Sequence, residues 1–319
     1  MKILFVAPLI PDFLADSVLH GLRSLLGDEV VDVPKALQMY VDAPPQSFHG
    51  RGFTLYKTLY NDNIDRSDIS AKIENKFFDL IIYGCVSSCY PVNEQLHGWD
   101  LVKANYPTDK IFLIDGADGT DIKEHLLGEG VYFKREIPDG VPWADEVQPI
   151  SFTIPREKVY TGSLNKTQVI APLIPGVDAT YTYDSESDYY EMYQKSLFAL
   201  TWKKAGWDCL RHYEIIANGT IPLFLDIENL PTRTMMPFPR TAVRTMLDLP
   251  GLTCGQFKPS AEFVYDDRNT ITNVDFSQFS FDMSMWDEYI DVSQKNRQYL
   301  YNNLTTFSIA KYLWEVAQK

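Results

Sequence analysis

Cysteine is scarce, with four in 319 residues at Cys85, Cys89, Cys209 and Cys254. Their spacing contains no Cys-x-x-Cys and no Cys/His zinc pattern, so neither a disulfide framework nor a zinc module is expected. Buried free thiols are the expectation, with a Cys85–Cys89 redox pair as the alternative. Basic residues are outnumbered, 29 Lys plus Arg against 43 Asp plus Glu, for a formal charge of −14. Such a balance repels polyanions at long range, which disfavours nucleic acid and anionic membrane surfaces as partners. No run of 18 apolar residues occurs, so no transmembrane segment is expected. The opening apolar run, residues 2–7, is cut by Pro8 and Pro11, too early for a signal-peptide core, and reads as a first strand. Internal repeats and low-complexity tracts are also lacking.

Aromatic residues are abundant, at 13% with 19 Tyr and 18 Phe. They supply large apolar surface for two cores and for a ring-stacking site, and the length suits two domains. Residues 2–7, an amphipathic run over 16–26 closed by Gly27, and residues 29–33 predict a βαβ opening. Apolar runs at 79–84 and 110–116 end in small or acidic residues, as buried parallel strands do where they feed ligand-holding loops. The stretch 138–155 is rich in Pro, Gly and acidic residues and has no sustained period, which marks a domain junction. A second alternating series follows at 168–174, 187–195, 197–202, 208–217, 221–226 and 241–247. From about Met285 the tail is helical by pattern, with Tyr312, Leu313 and Val316 on one apolar stripe that a final helix crossing back to the N-terminal half would bury; packing on its own C-terminal domain is the alternative. The expected fold class is α/β, with domains at 1–150 and 151–319 and a C-terminal helical tail.

The densest chemical signal lies at residues 201–224. A strand delivers Lys203 and Lys204 into a turn containing Gly206, and a helix starts near Asp208. Backbone N–H groups, the helix dipole and two ammonium groups would thus converge on an anion such as a diphosphate. Arg211, Glu214 and Asn218 share one helical stripe. The carboxylate can accept two ribose hydroxyls and the guanidinium can reach a phosphate; alternatively the two form a surface ion pair. For Lys203 and Lys204 the alternative is a solvated turn, for His212 a satisfied structural histidine, and for Trp202 and Trp207 simple core packing.

Residues 211–222, Arg-His-Tyr-Glu-Ile-Ile-Ala-Asn-Gly-Thr-Ile-Pro, resemble the Arg-x-x-Glu-Ala-Leu-Ala-x-Gly-Cys-Ile-Pro element of exostosin-like and related glycosyltransferases of the GT-B fold. The longer string from Trp202 to Glu214 also resembles poorly characterised glycosyltransferases of viral and bacterial type. Asp16-x-x-x-His20-Gly21-Leu22 and Tyr132-Phe-Lys-Arg-Glu136 match two further strings associated with them. The resemblance implies two Rossmann-like domains facing across a cleft, with an acceptor domain at 1–150 and a nucleotide-sugar donor domain at 151–319. It implies Glu214 at the donor ribose, within a donor set of Lys203, Lys204, Trp207, Arg211, His212, Glu214 and Asn218. Gly206 stands where many GT-B enzymes carry a second Glu, which leaves the stereochemical outcome open, and Thr220 stands where Cys is common.

The expected reaction is metal-independent glycosyl transfer from a UDP- or GDP-linked sugar to a hydroxyl acceptor such as a glycan, in the cytoplasm of a bacterial or virus-infected cell. No other cofactor is expected. Asp16 and Asp115, ahead of His20, are the candidates to deprotonate the acceptor. His20, Arg51, Asp118 and Arg135 are candidate acceptor contacts. Asp115-Gly-Ala-Asp118 can also be a turn, Lys134-Arg135 can face solvent, and His49-Gly-Arg-Gly52 lacks the spacing of a P-loop. The cluster from Asp184 to Asp188 reads as a helix cap rather than a metal-binding Asp-x-Asp. Two alternatives to the transferase are a non-catalytic binding protein of the same fold and a nucleic-acid base glucosyltransferase, which the net charge disfavours.

Overall fold

The computed structural model describes residues 1–44, 48, 51–60, 64–86, 96–248, 250–254, 263–275 and 279–319. The strands are β1 (Ile3–Val6), β2 (Val30–Val33), β3 (Leu80–Tyr83), β4 (Ile111–Asp115), β5 (Val131–Lys134), β6 (Gln148–Pro149), β7 (Gln168–Ile170), β8 (Ser196–Thr201), β9 (Ile221–Phe224), β10 (Leu252–Cys254) and β11 (Phe279–Phe281). The helices are α1 (Phe13–Leu26), α2 (Ile69–Glu74), α3 (Trp99–Asn105), α4 (Glu186–Lys195), α5 (Leu210–Ala217), α6 (Arg240–Thr245), α7 (Trp286–Asn303) and α8 (Thr306–Ala317). None is long and apolar enough to cross a membrane among the described residues. Two compact units result. The first comprises Met1–Arg156, Thr232–Met236 and Thr305–Lys319, and the second Glu157–Pro231 and Pro237–Leu304.

In the first unit six parallel strands run in the order β2-β1-β3-β4-β5-β6. Strands such as Ile3-Leu-Phe-Val6 and Leu80-Ile-Ile-Tyr83 are apolar at every position and fully buried, the pattern of a parallel sheet covered on both faces. On one face Leu4, Ile81, Leu113 and Tyr132 pack with Val102 and Phe78. Chain order reverses at β1, which has β2 on one side and β3 on the other. The crevice outside the carboxyl ends of the strands at such a reversal is where open α/β sheets hold ligands.

The sequence-based division counts the last helix within 151–319, with the expectation that it crosses back to the N-terminal half. α8 belongs to the first unit and packs on α1. Its stripe has a place there, with Leu313 and Ala310 buried and the Tyr312 ring edge-on to Phe133, centroids 6.0 Å apart. The Thr306 N–H donates to the Ile154 carbonyl (2.9 Å), and Lys110 Nζ donates to the Ala317 carbonyl (3.0 Å). The segment Thr232–Met236 is likewise held in this unit, where the Ile137 N–H donates to Thr234 Oγ1 (2.9 Å) and Arg233 Nη2 to the Val147 carbonyl (3.0 Å). Gly21 permits the close approach of α1 and α8, because a Cβ at that position would overlap the Thr306 carbonyl.

The second unit holds a three-stranded parallel sheet in the order β7-β8-β9 and an antiparallel β10–β11 hairpin. Its core includes Leu173, Met192, Tyr193, Ala199 and Ile215, with Phe198 edge-on to Phe281 and Tyr289, both at 5.4 Å. The acidic cluster at 184–188 starts α4 as a cap, since Ser185 Oγ accepts from the Asp188 N–H (3.1 Å). Lys166 is buried here, and Nζ donates to the Tyr193 carbonyl and Thr220 Oγ1, both at 3.3 Å. Burial, and to a lesser degree the charge of Arg297, push its ammonium down to about 7.

Two stability predictions follow from this packing. Gly21→Val forces α1 away from α8 and should cost ~1–3 kcal/mol, read by urea unfolding. Between about pH 7 and the ordinary lysine range, the unfolded chain holds a proton on Lys166 that the folded chain has released. Stability therefore rises with pH across that window, and below it the cost of the buried charge is carried in full. Lys166→Met should flatten that slope, so its stability relative to the parent is most favourable below about pH 7 and declines as pH rises; unfolding curves across that range check it.

Candidate functional site

In the first unit the loop after β1 leads directly into two carboxyls one helical turn apart. Asp12 caps α1, Oδ1 accepting from the Ala15 N–H (2.9 Å). Asp16, in the first turn, is 1% exposed. Its Oδ1 accepts from Gln38 Nε2 (2.7 Å), and Oδ2 has no hydrogen-bond partner among the described residues. Burial, with the neighbouring charge of Asp12, lifts the Asp16 carboxyl well above the usual carboxylate range. Burial raises Asp12 as well, opposed by the Ala15 N–H and by Arg135. A carboxyl with a raised pKa and one oxygen without a partner among the described residues, at the reversal point of a parallel sheet, is a candidate proton acceptor.

Asp115, the other proposed base, is placed differently. It is fully buried, with Oδ2 accepting from the Tyr132 hydroxyl (2.6 Å) and Oδ1 from Lys134 Nζ (3.1 Å) and the Ala117 N–H (3.1 Å). Its acceptor capacity is spent on the fold, so we assign it a structural role. Lys134 is equally buried and donates also to the Gly119 carbonyl (2.8 Å). Arg135 is 1% exposed, donating from Nε to the Gly116 carbonyl (2.9 Å), pairing with Asp118 and Glu136, and lying over the Phe152 ring at 4.5 Å. It braces the loop after β4 instead of presenting a free fork to an acceptor, and the exposed Asp118 carboxylate is its partner. His20 is buried on α1 with Nδ1 2.8 Å from Thr306 Oγ1 of α8, so it too serves packing. Arg51 is exposed; His49 and Gly50 of the same string, and Cys89, lie outside the described residues.

In the second unit the turn from β8 into α5 carries the cations. The Lys203 N–H donates to both Asp226 carboxylate oxygens (3.2 Å each), and the Tyr265 hydroxyl donates to the same group. Asp226 is buried at the end of β9, and burial raises its carboxyl to about 6. Lys203 Nζ lies 5.5 Å from the Trp207 ring centroid. Lys204 Nζ donates to the Arg268 carbonyl (3.2 Å), and burial and the Arg211 charge lower its pKa. Arg211 Nε donates to Thr201 Oγ1 (3.4 Å), while Nη2 is buried without a partner among the described residues. Glu214, 6% exposed, accepts at Oε2 from the Tyr189 hydroxyl (2.7 Å). Arg211 and Glu214 thus have separate partners, and around Arg211 the phenols of Tyr181, Tyr189 and Tyr193 are within electrostatic reach.

Two members of the proposed donor set have their polar groups engaged within the fold. His212 is fully buried and stacked on Phe224 at 4.3 Å, with Nδ1 2.8 Å from Thr201 Oγ1 and Nε2 2.9 Å from the Trp207 carbonyl. Burial holds its pKa down at about 3. Asn218 lies at the opposite end of α5 from the cations, where Nδ2 donates to the Glu214 carbonyl (2.9 Å) and Oδ1 accepts from Gln194 (2.9 Å). Sequence reasoning missed Asp12, Gln38, Tyr189 and Asp226. The 189, 193 spacing on a helix was a usable signal for a tyrosine stripe facing α5; nothing local marked Gln38, which reaches Asp16 through the tertiary fold.

The different environments of the two carboxylates separate by mutation. Lys134→Met leaves Asp115 buried and short of its countercharge and should cost ~3–5 kcal/mol. Asp16→Asn keeps an oxygen for Gln38 and should change stability by less than ~1 kcal/mol. Chemical denaturation of both proteins reads the contrast. Searches against models of known protein families and among curated proteins find no match for this chain.

Proposed function

We propose that the protein is a GT-B-like glycosyltransferase, made of two Rossmann-like domains, that transfers a sugar from a nucleoside-diphosphate donor to a hydroxyl acceptor such as a glycan. The observation that carries this reading is the group at the turn between β8 and α5. Lys203 and Lys204 lie on the turn into α5, Arg211 on that helix has a buried amino group without a partner among the described residues, and Glu214, one turn further, is buried and held by Tyr189. A phosphate-seeking cluster next to a carboxylate suits a nucleotide, with the carboxylate on the ribose hydroxyls and the cations on the diphosphate.

Bond by bond, the acceptor oxygen attacks the anomeric carbon, the bond from that carbon to the diphosphate oxygen breaks, and the electron pair leaves on the diphosphate. Lys203, Lys204 and Arg211 stabilise that growing charge. Asp16 takes the acceptor proton, for which its raised pKa and an Oδ2 without a partner among the described residues suit it. The base must be ionised to act, so kcat/KM should rise with pH through the Asp16 titration.

Glu214→Ala should weaken UDP or GDP binding by about ten- to hundredfold, the loss of a charged hydrogen bond of ~1.5–3 kcal/mol. Calorimetry on the folded variant tests this; unchanged affinity for a nucleotide that the parent binds removes Glu214 from the donor site. Asp16→Asn should abolish the rising limb of the pH profile while leaving nucleotide affinity intact. Nucleotide binding without transfer or donor hydrolysis would favour a non-catalytic binding protein.

A further inference from the structure

A cavity of about 270 Å³ lies in the second unit between residues 159–161 and α7, lined by Val159, Tyr160, Thr161, Arg297, Gln298 and Tyr301. It stands at the carboxyl end of α5, where the Tyr160 N–H donates to the Ala217 carbonyl (2.9 Å). The cations of the 203–211 turn flank the opposite end of that helix, so the donor reading leaves this cavity unused. Val159 is buried, Tyr160, Arg297 and Tyr301 are half-buried, and Thr161 and Gln298 are exposed. The cavity is therefore open to solvent on the side of Thr161 and Gln298.

Arg297 is the one charged residue of the lining. Its Nη1 donates to the Gly162 carbonyl (3.1 Å), and its Cζ lies 5.8 Å from the Tyr160 ring centroid. The Tyr160 hydroxyl is itself tied down, donating to the Ser163 carbonyl (3.2 Å). These contacts hold the guanidinium in place without using its other N–H groups, which have no partner among the described residues. Carboxylates outnumber cations 43 to 29 in this chain, yet among the described residues none pairs with Arg297. Gln298 Nε2 donates to Asn302 Oδ1 (3.2 Å), which leaves its amide oxygen, like the Thr161 hydroxyl, without a partner among the described residues.

Charge, shape and size narrow the ligand. One guanidinium fork matches one carboxylate in charge and in bidentate geometry. A phosphate monoester carries more than one negative charge near pH 7, and the lining has no second cation to balance it. Two phenol rings offer flat apolar faces, while a hydroxyl and an amide oxygen suit a body that bears hydroxyl groups. The volume is at the lower end of the ~300–1,000 Å³ usual for small-molecule sites, room for a single ring. We infer that this cavity binds a carboxylate-bearing sugar ring, with Arg297 on the carboxylate, Tyr160 and Tyr301 against the ring, and Thr161 and Gln298 on its hydroxyl groups. The proposal goes beyond the donor reading and does not depend on it.

The test is a set of saturation-transfer NMR titrations of the full chain with methyl glucuronide, methyl galacturonide and methyl glucoside. At least one acid glycoside should bind about tenfold or more tightly than the glucoside, the effect of a charged hydrogen bond. Arg297→Gln should reduce that acid glycoside to the level of the glucoside. Thr161→Trp, which places a large ring in the cavity from an exposed position, should abolish binding of the acid glycoside, and it decides the matter should Arg297→Gln fail to fold. Inorganic phosphate should compete poorly. The site is overturned if neither acid glycoside binds, if the glucoside binds as tightly, if phosphate displaces the acid glycoside at equal concentration, or if binding survives Thr161→Trp.

Discussion

The buried ion pair between Lys134 and Asp115 constrains the loops at the carboxyl ends of β4 and β5 in the six-stranded sheet. Neither side chain has any exposure, and an ammonium group without water must find countercharge and acceptors within the protein. Asp115, the Gly119 carbonyl and the Tyr132 hydroxyl close the network, tying the loop after β4 to the end of β5. Arg135 extends it through the Gly116 carbonyl and acts electrostatically on Asp12, the residue that caps α1. The string Tyr132 to Glu136 is therefore consumed in building the strand ends. Asp16, outside the ion pair, has one oxygen without a partner among the described residues.

The second unit divides its polar residues in the same way. His212, Asp226 and Tyr265 hold the turn between β8 and α5 by satisfying its backbone and each other. Burial keeps His212 neutral, so it adds no charge beside Arg211. Among the described residues, hydrogen-bonding capacity remains on Arg211, Lys204 and Thr270. In a chain with a net charge of −14, such a cationic spot attracts an anion only at short range, because the surrounding charge opposes it and salt screens the rest. A compact, highly charged ligand gains most from that arrangement.

Helices and strands were legible from the sequence because their signals are local. Apolar runs mark β1, β3 and β4, and α1, α4 and α5 follow from period and capping, including Ser185 before α4. The cation-bearing turn at 203–211 was legible too, since two lysines between a strand and a helix are read without knowing the fold. Less legible was the extent of the second sheet, with three parallel strands among the described residues, where short apolar stretches such as 171–174 join no strand. The apolar stripe of α8 showed that it must be buried, with a return to the N-terminal half as the expectation; Gly21 and Thr306 are the contacts that seat it on α1.

By itself the sequence determined the α/β alternation, the acidic surface, the scarcity of thiol chemistry and the positions of the cations, all of which depend on composition or on neighbours within a few residues. Tertiary structure decided which ionisable groups remain available. Asp16 and Asp115 look alike on the chain, yet Gln38 satisfies one oxygen of the first while Lys134 and Tyr132 engage both oxygens of the second. His212 and Arg211 are adjacent in sequence, yet the first has protein partners on both ring nitrogens and the second has an amino group without a partner among the described residues. Availability depends on desolvation and on partners supplied by distant segments, and those are set when the chain packs.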